Sequence, residues 1–213
     1  QNDGKITQTS GATQWVSSKD SYQSVAITAN VLSGGNRQGV FIRFKGDTFA
    51  DDKYVMIQKE KDEKVSWNGE NNIWSNGSNL LGDVWTDYVN PLTDDDKALI
   101  KEGKYEVTLV RVKNEIYVFV NGIYKDKKVL DASYADMECY VGLYCTDANK
   151  TTGATRKFKI ENASDYLSTV TVTDKTATDA NGTIAIAPQT IVLGDTVEIT
   201  VNPATGYLFD KLT

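Results

Sequence analysis

The chain has 213 residues, a formal net charge of −6 and no histidine. The missing histidine removes Ser-His-Asp and Cys-His nucleophilic sites, imidazole general bases and zinc sites with His ligands, and two cysteines cannot supply a four-thiolate site instead. The acidic balance argues against nucleic acid or an anionic membrane surface as partner. No apolar run is long enough to span a bilayer, and a hydrophobic fraction of 40% is enough to bury a core.

The first ten residues are polar, so no signal peptide is expected among them. The chain lacks an initiator Met and stops abruptly at Asp210-Lys211-Leu212-Thr213, as expected of a piece cut from a longer protein. Alternating β-branched and aromatic residues predict strands at 24–31, 39–44 and 54–59, with the turn residues Gly34-Gly35-Asn36 between the first two. Residues 93–103 read as one helix, with Thr93 as N-cap, Asp94, Asp95 and Asp96 in the first turn, and Gly103 as the stop. Three successive aspartates also suit a calcium loop, but the helix dipole favours them where they stand. A strand pair follows at 104–112 and 115–120, joined by a tight hairpin at Lys113-Asn114. Strands at 138–145 and 156–161 complete the set. Cys139 and Cys145 are six residues apart in one strand, which puts them roughly 20 Å apart, beyond disulfide reach, so both are expected as packed thiols. Recurring turns and short strands predict an all-β sandwich.

Near residues 162–168 the composition changes. The remainder is rich in Thr, Val, Ala and Ile, with no Trp and no Arg, and short strands suggest themselves at 169–173, 182–187 and 196–201. The expected division is a β domain over 1–165 and a small β module over 166–213.

Several motifs in order carry a family resemblance. They are Gln38-Gly39-Val40-Phe41-Ile42-Arg43-Phe44, the hairpin from Tyr105 to Gly122 ending in Val120-Asn121-Gly122, Val141-Gly142-Leu143-Tyr144, and Phe158-Lys159-Ile160-Glu161-Asn162. Together they resemble the concanavalin A-like lectin/glucanase superfamily, especially its laminin-G-like branch. That resemblance implies a two-sheet antiparallel jelly-roll sandwich. In the tail, Asn181-Gly182-Thr183, Leu193-Gly194-Asp195-Thr196-Val197, Asn202-Pro203 and Gly206-Tyr207-Leu208-Phe209 resemble divergent bacterial surface repeats related to the internalin B-repeat, here incomplete. This second resemblance implies a spacer unit in a secreted or cell-surface bacterial protein.

Jelly-roll glucanases resembling the laminarinase type carry a Glu-x-Asp-x-Glu or Glu-x-Asp-x-x-Glu strand, which sets nucleophile and acid on one face. Glu60-Lys61-Asp62-Glu63-Lys64-Val65 comes nearest and lacks the second Glu, so it reads as a solvated strand end or turn. Asp83 and Asp87, around Trp85, would stand about 13 Å apart if extended, too far for either carboxylate geometry. On these grounds the chain is expected not to be an enzyme.

Sugar binding needs less: an aromatic ring for the C–H face of a pyranose, and polar groups for its hydroxyls. Residues 67–90 hold Trp67, Trp74, Trp85 and Tyr88 interleaved with asparagines, Asn72 among them, in a stretch with the character of a loop. Each of these tryptophans can equally fill the core. Arg43 interrupts an apolar strand and can either bond sugar hydroxyls or form a structural ion pair. Tyr140 and Tyr144 share one strand face across Gly142, as a flat stacking surface or as ordinary sheet tyrosines. No cofactor is required. Calcium at a sheet edge is a candidate, with Asp47, Asp51, Asp52, Asp147 and Asn149 available and no ligand set fixed by spacing.

The function expected from the sequence is therefore a non-catalytic carbohydrate-binding module of a larger secreted or cell-surface bacterial protein. It would hold a polysaccharide or host glycan by aromatic stacking and polar contacts, through Trp67, Trp74, Trp85, Tyr88, Arg43, Tyr140, Tyr144 and Asn72. One alternative is a structural or protein-binding adhesin or spacer domain. Another is a jelly-roll glycoside hydrolase with an atypical carboxylate pair.

Overall fold

In the computed structural model of the chain, residues 2–7, 14–34, 37–45, 52–60, 63–70, 89–146, 155–167, 181–185 and 200–208 are described, without the side chains of residues 2, 3, 14, 67–70, 89, 146, 184 and 185. The chain divides into two compact units, Gln1–Ala163 and Ser164–Thr213.

The first unit is an all-β jelly-roll sandwich. One sheet has the order β1 (Asn2–Thr7), β12 (Thr155–Glu161), β3 (Ser24–Asn30), β8 (Glu106–Val112), β9 (Glu115–Val120) and β10 (Ile123–Val129). The other runs β2 (Gln14–Ser17), β11 (Cys139–Thr146), β4 (Arg37–Phe44), β5 (Lys53–Glu60), β6 (Lys64–Glu70) and β7 (Val89–Pro91). All pairings in both sheets are antiparallel.

Alternation decides which residues meet between the sheets. Val25, Ile27 and Ala29 of β3, and Val107 and Leu109 of β8, face Val40, Ile42 and Phe44 of β4, and Val55 and Ile57 of β5, in one core cluster. The opposite parity is buried too: Ala26, Val110, Tyr117 and Phe119 on the first sheet, Phe41, Tyr54 and Met56 on the second. Hence the central strands read as nearly continuous apolar runs.

Turn chemistry fixes the register. Val112 pairs with Glu115 across Lys113-Asn114, with Lys113 at φ 53°. Val120 pairs with Ile123 across Asn121 (φ 51°) and Gly122 (φ 76°), the two left-handed positions of a type I′ hairpin. Helix α1 (Asp94–Lys101) carries a capping box: the Thr93 hydroxyl accepts the Asp96 N–H, and the Asp96 carboxylate accepts the Thr93 N–H. Gly103 follows at φ 67°, and Ile100 enters the core.

Two arginines close the core at its ends. Arg111 on β8 is buried under the Phe44 ring and donates to the carbonyls of Tyr22, Lys113, Tyr134 and Met137. Arg156 on β12 is buried and donates to the carbonyls of Asn30, Gly39 and Tyr144. Cys139 and Cys145 are buried free thiols.

In the second unit, β13 (Gly182–Ala185) pairs antiparallel with β14 (Thr200–Pro203). The strand expected at 169–173 lies outside the described residues. Among the described residues, no helix is long and apolar enough to cross a membrane.

Candidate functional site

The outward face of the β2–β7 sheet gathers the polar and aromatic side chains that the core does not use. Cross-strand neighbours form three rows on it: Tyr140, Arg43 and Tyr54; Ser17, Gly142, Phe41 and Met56; Trp15, Tyr144, Gly39, Gln58 and Ser66. A Cβ on Gly142 would collide with the Phe41 ring and the Val16 carbonyl, so glycine at that position lets the ring lie flat across β11.

An aromatic cluster spans the rows, drawing Trp15 and Tyr144 from the third, Phe41 from the second and Tyr54 from the first. The Trp15 ring stacks on Tyr144 at 4.8 Å and 17°, and meets Phe41 at 5.2 Å and Tyr54 at 5.4 Å. Tyr144 is only 3% exposed, and its hydroxyl donates to the Gln58 side-chain carbonyl. Tyr140 and Tyr144 do share one face, yet Tyr144 serves the packing and only Tyr140 keeps accessible surface.

The first row is polar. Nε of Arg43 lies 2.8 Å from the Asp52 carboxylate, with the two side chains 21% and 1% exposed. The guanidinium also sits over the Tyr140 ring, 5.6 Å from its centre. The Tyr54 hydroxyl lies 3.4 Å from the same Asp52 oxygen. Burial pushes the Tyr54 phenol up to about 12, with the Asp52 charge and hydrogen bond adding to the rise and Arg43 opposing it. Arg43 is thus an ion-pair partner that keeps one side towards solvent.

At the far end of the face, Glu60 accepts hydrogen bonds from the Ser66 hydroxyl and the Gln58 amide, with Lys64 3.8 Å away. Burial alone would raise its pKa. The bonds from Ser66 and Gln58 and the charges of Lys64 and Arg37 outweigh burial and hold the carboxyl below its ordinary value. Glu60 is the last residue of β5, and the Glu63 N–H donates to its carbonyl just before β6 begins at Lys64.

Of the eight candidates named from sequence, Arg43, Tyr140 and Tyr144 stand together on this face. Trp74, Trp85, Tyr88 and Asn72 lie outside the described residues, as do Asp83 and Asp87. Trp67 stands opposite Ile57 in the β5–β6 register, and its side chain is likewise outside them. For calcium, Asp52 is taken by Arg43, while Asp47, Asp51, Asp147 and Asn149 lie outside the described residues. Among the described residues, no group of three or more Cys, Asp or Glu side chains is placed to hold a metal.

Sequence reasoning missed Trp15, Tyr54, Gln58 and Ser66, and offered Asp52 only as a possible calcium ligand rather than as the partner of Arg43. Trp15 belongs to a four-residue strand too short to show a period. The others become a site only through the pairing of β4, β5 and β6.

No protein-family model matches the chain, and no curated protein sequence matches it. Solved structures do. Porphyranase B from Zobellia galactanivorans aligns at TM-score 0.43 and 13% identity, over 68% of this chain and 64% of that one. The laminarinase catalytic domain from Thermotoga maritima aligns at TM-score 0.45 and 8% identity, over 70% and 65%. A galectin from Caenorhabditis elegans aligns at TM-score 0.35 and 13% identity, over 76% and 92%. The chain therefore spans less than two thirds of the porphyranase and laminarinase lengths.

These comparisons correct one expectation. Two of the three similar structures are named as enzymes, so the inference that this chain is not an enzyme does not hold. The physical reason is that a missing histidine and a missing Glu-x-Asp-x-Glu strand exclude particular chemistries only. Carboxylate, tyrosine and lysine chemistry all remain, and Glu60 and Tyr140 stand on the face in question.

Proposed function

We propose that the first unit is a carbohydrate-active domain that takes a polysaccharide along the outward face of the β2–β7 sheet. The observation that carries this reading is the Arg43–Asp52–Tyr140 arrangement. A partly exposed guanidinium held by a buried carboxylate stands beside a tyrosine ring that can meet the C–H face of a pyranose, which pairs a charged polar group with a stacking surface as sugar binding needs. A secreted or cell-surface parent protein fits this reading.

Cleavage of the bound chain is a second reading, favoured by Glu60. Its carboxyl is kept ionised by Ser66 and Gln58, the state that a nucleophile or base in glycoside chemistry requires.

A panel of neutral and anionic polysaccharides tests both. Binding is read by affinity electrophoresis, and cleavage by release of reducing ends. Tyr140→Ala and Arg43→Lys should weaken retention of the bound polysaccharide. Unchanged retention in both variants sinks the proposed face. Product release that survives Glu60→Gln removes Glu60 from the chemistry.

A further inference from the structure

The opposite side of the sandwich carries a cleft of about 340 Å³ on the β1–β12–β3–β8 part of the first sheet. Its floor is Gly4, Ala29 and Phe158, and its rim holds Lys5, Lys157, Lys159 and Glu106. A Cβ on Gly4 would collide with the Phe158 ring, so glycine there keeps β1 close against β12. The N–H of Lys157 donates to the Asn30 side chain at 2.6 Å, and the Thr28 and Thr108 hydroxyls bond each other at 2.8 Å beneath the rim.

The lysines are placed in an unfavourable way. Lys5 and Lys157 stand directly opposite each other in the β1–β12 register, and Lys159 follows two residues on, on the same face. All three are exposed, and none forms an ion pair with a described residue. The register sets Asp3 opposite Lys159, which leaves the Lys5–Lys157 pair as the uncompensated centre. Like charges opposed across a strand pair destabilise it. In a chain of net charge −6, this is a local reversal of sign that packing does not explain. With three lysines to one glutamate on its rim, the cleft carries an excess of positive charge, and such a concave surface gathers anions.

We infer that this cleft is a second glycan-contact site, specific for the anionic groups of an acidic polysaccharide, with Lys5 and Lys157 clamping one carboxylate or sulfate ester. Lys159, about 7 Å along β12, reaches a neighbouring part of the same polymer. The inference rests on the carbohydrate reading above and adds the substrate class.

The test is affinity electrophoresis of the full chain in gels containing a polyuronate, a sulfated galactan or a neutral β-glucan, at low salt and at high salt. Retention is expected in an anionic gel and should fade with salt. The double variant Lys5→Gln/Lys157→Gln should lose that retention by about fivefold to tenfold, the sum of two exposed charge contacts. Its melting temperature should equal or exceed that of the parent, because the opposed pair is gone. Retention by the polyuronate alone identifies a carboxylate, and by the galactan alone a sulfate ester. Undiminished retention of the double variant overturns the inference while leaving the Arg43–Tyr140 face untouched. Retention of the neutral glucan only, lost in Tyr140→Ala, overturns it too and supports the other site. Failure of every gel overturns both.

Discussion

Arg156 donates from Nη2 to the Gly39 carbonyl at 3.1 Å, a hydrogen bond that runs from β12 in one sheet to β4 in the other. The same guanidinium reaches the Tyr144 carbonyl on β11 and the Asn30 carbonyl at the end of β3, both at 3.0 Å. A buried cation is costly, and burial lowers its pKa to about 10. It is retained because its planar fork donates at once to carbonyls on β3, β4 and β11. Replacing it with methionine should cost about 3 kcal/mol or more, since an unsatisfied buried acceptor costs about 1 to 3 kcal/mol. Arg156→Lys should recover little, because an ammonium lacks the planar fork that reaches three directions. Urea unfolding measures this, and a midpoint unchanged in Arg156→Met would show that the sheets do not depend on the bridge.

The Arg43–Asp52 pair separates stability from function. Asp52 is 1% exposed, so Arg43→Ala leaves a buried carboxylate without its cation. Breaking a fully buried pair costs about 3 to 5 kcal/mol, and the partial exposure of Arg43 brings the expected loss to about 2 kcal/mol. Tyr140→Ala should cost under about 1 kcal/mol, as a half-buried ring outside the core cluster. Thermal unfolding of the two variants checks this ordering. A glycan-binding defect in Tyr140→Ala at near-parental stability is then evidence about the site itself.

The legible parts of the fold were those where one strand's pattern is set by its own burial. Strands β3, β4, β5, β8 and β9 fall where alternation and apolar content place them, because each buries both faces. The expected helix has its N-cap at Thr93 because the capping box is local chemistry. Strand β10 carries no strand signal of its own, because Lys125, Asp126, Lys127 and Lys128 break the apolar alternation. Its sheet edge is kept charged, and a bulge between Tyr124 and Asp126 breaks its alternation. Strand β6 was hidden for a related reason: it follows a charge run and enters the Asn-rich stretch with no clean period. The site was less legible than the fold. Arg43 and Tyr140 were visible as chemistry, but Asp52 acquires meaning only when β4 and β5 lie side by side, and Lys5 only when β1 pairs with β12.

The helix N-terminus offers a local test. The Thr93 hydroxyl accepts the Asp96 N–H at 3.1 Å and donates to the Asp96 carboxylate at 2.8 Å. Thr93→Ala should destabilise the chain by about 1 kcal/mol, while Thr93→Ser should keep most of that. Asp95→Asn removes only a charge near the dipole and should cost a few tenths of that amount. Denaturant titration ranks the three. Equal losses for Asp95→Asn and Thr93→Ala would point to charge rather than capping.

Alkaline pH should unfold the protein through two buried phenols. Burial pushes Tyr54 and Tyr105 up to about 12 each; Asp96 adds to the rise at Tyr105 and the neighbouring Asn90 side chain opposes it. The unfolded chain releases these protons near pH 10, so between about 10 and 12 the folded state holds more protons than the unfolded one. Their contribution is therefore fully present below about pH 10 and is lost as pH rises through about 12, by about 2 to 3 kcal/mol per tyrosine. Arg156 works in the opposite sense. Its folded value of about 10 lies below the unfolded one, so above pH 10 the unfolded chain holds the extra proton and stability gains. Two phenols against one guanidinium leave a net fall of about one phenol's contribution. The unfolding midpoint in urea should drop from pH 9.5 to pH 11.5, and Tyr54→Phe or Tyr105→Phe should each remove most of that drop. Phenolate absorbance should appear together with unfolding rather than ahead of it. A midpoint that stays level in the parent while both phenols ionise would mean that these hydroxyls are solvated in the folded state.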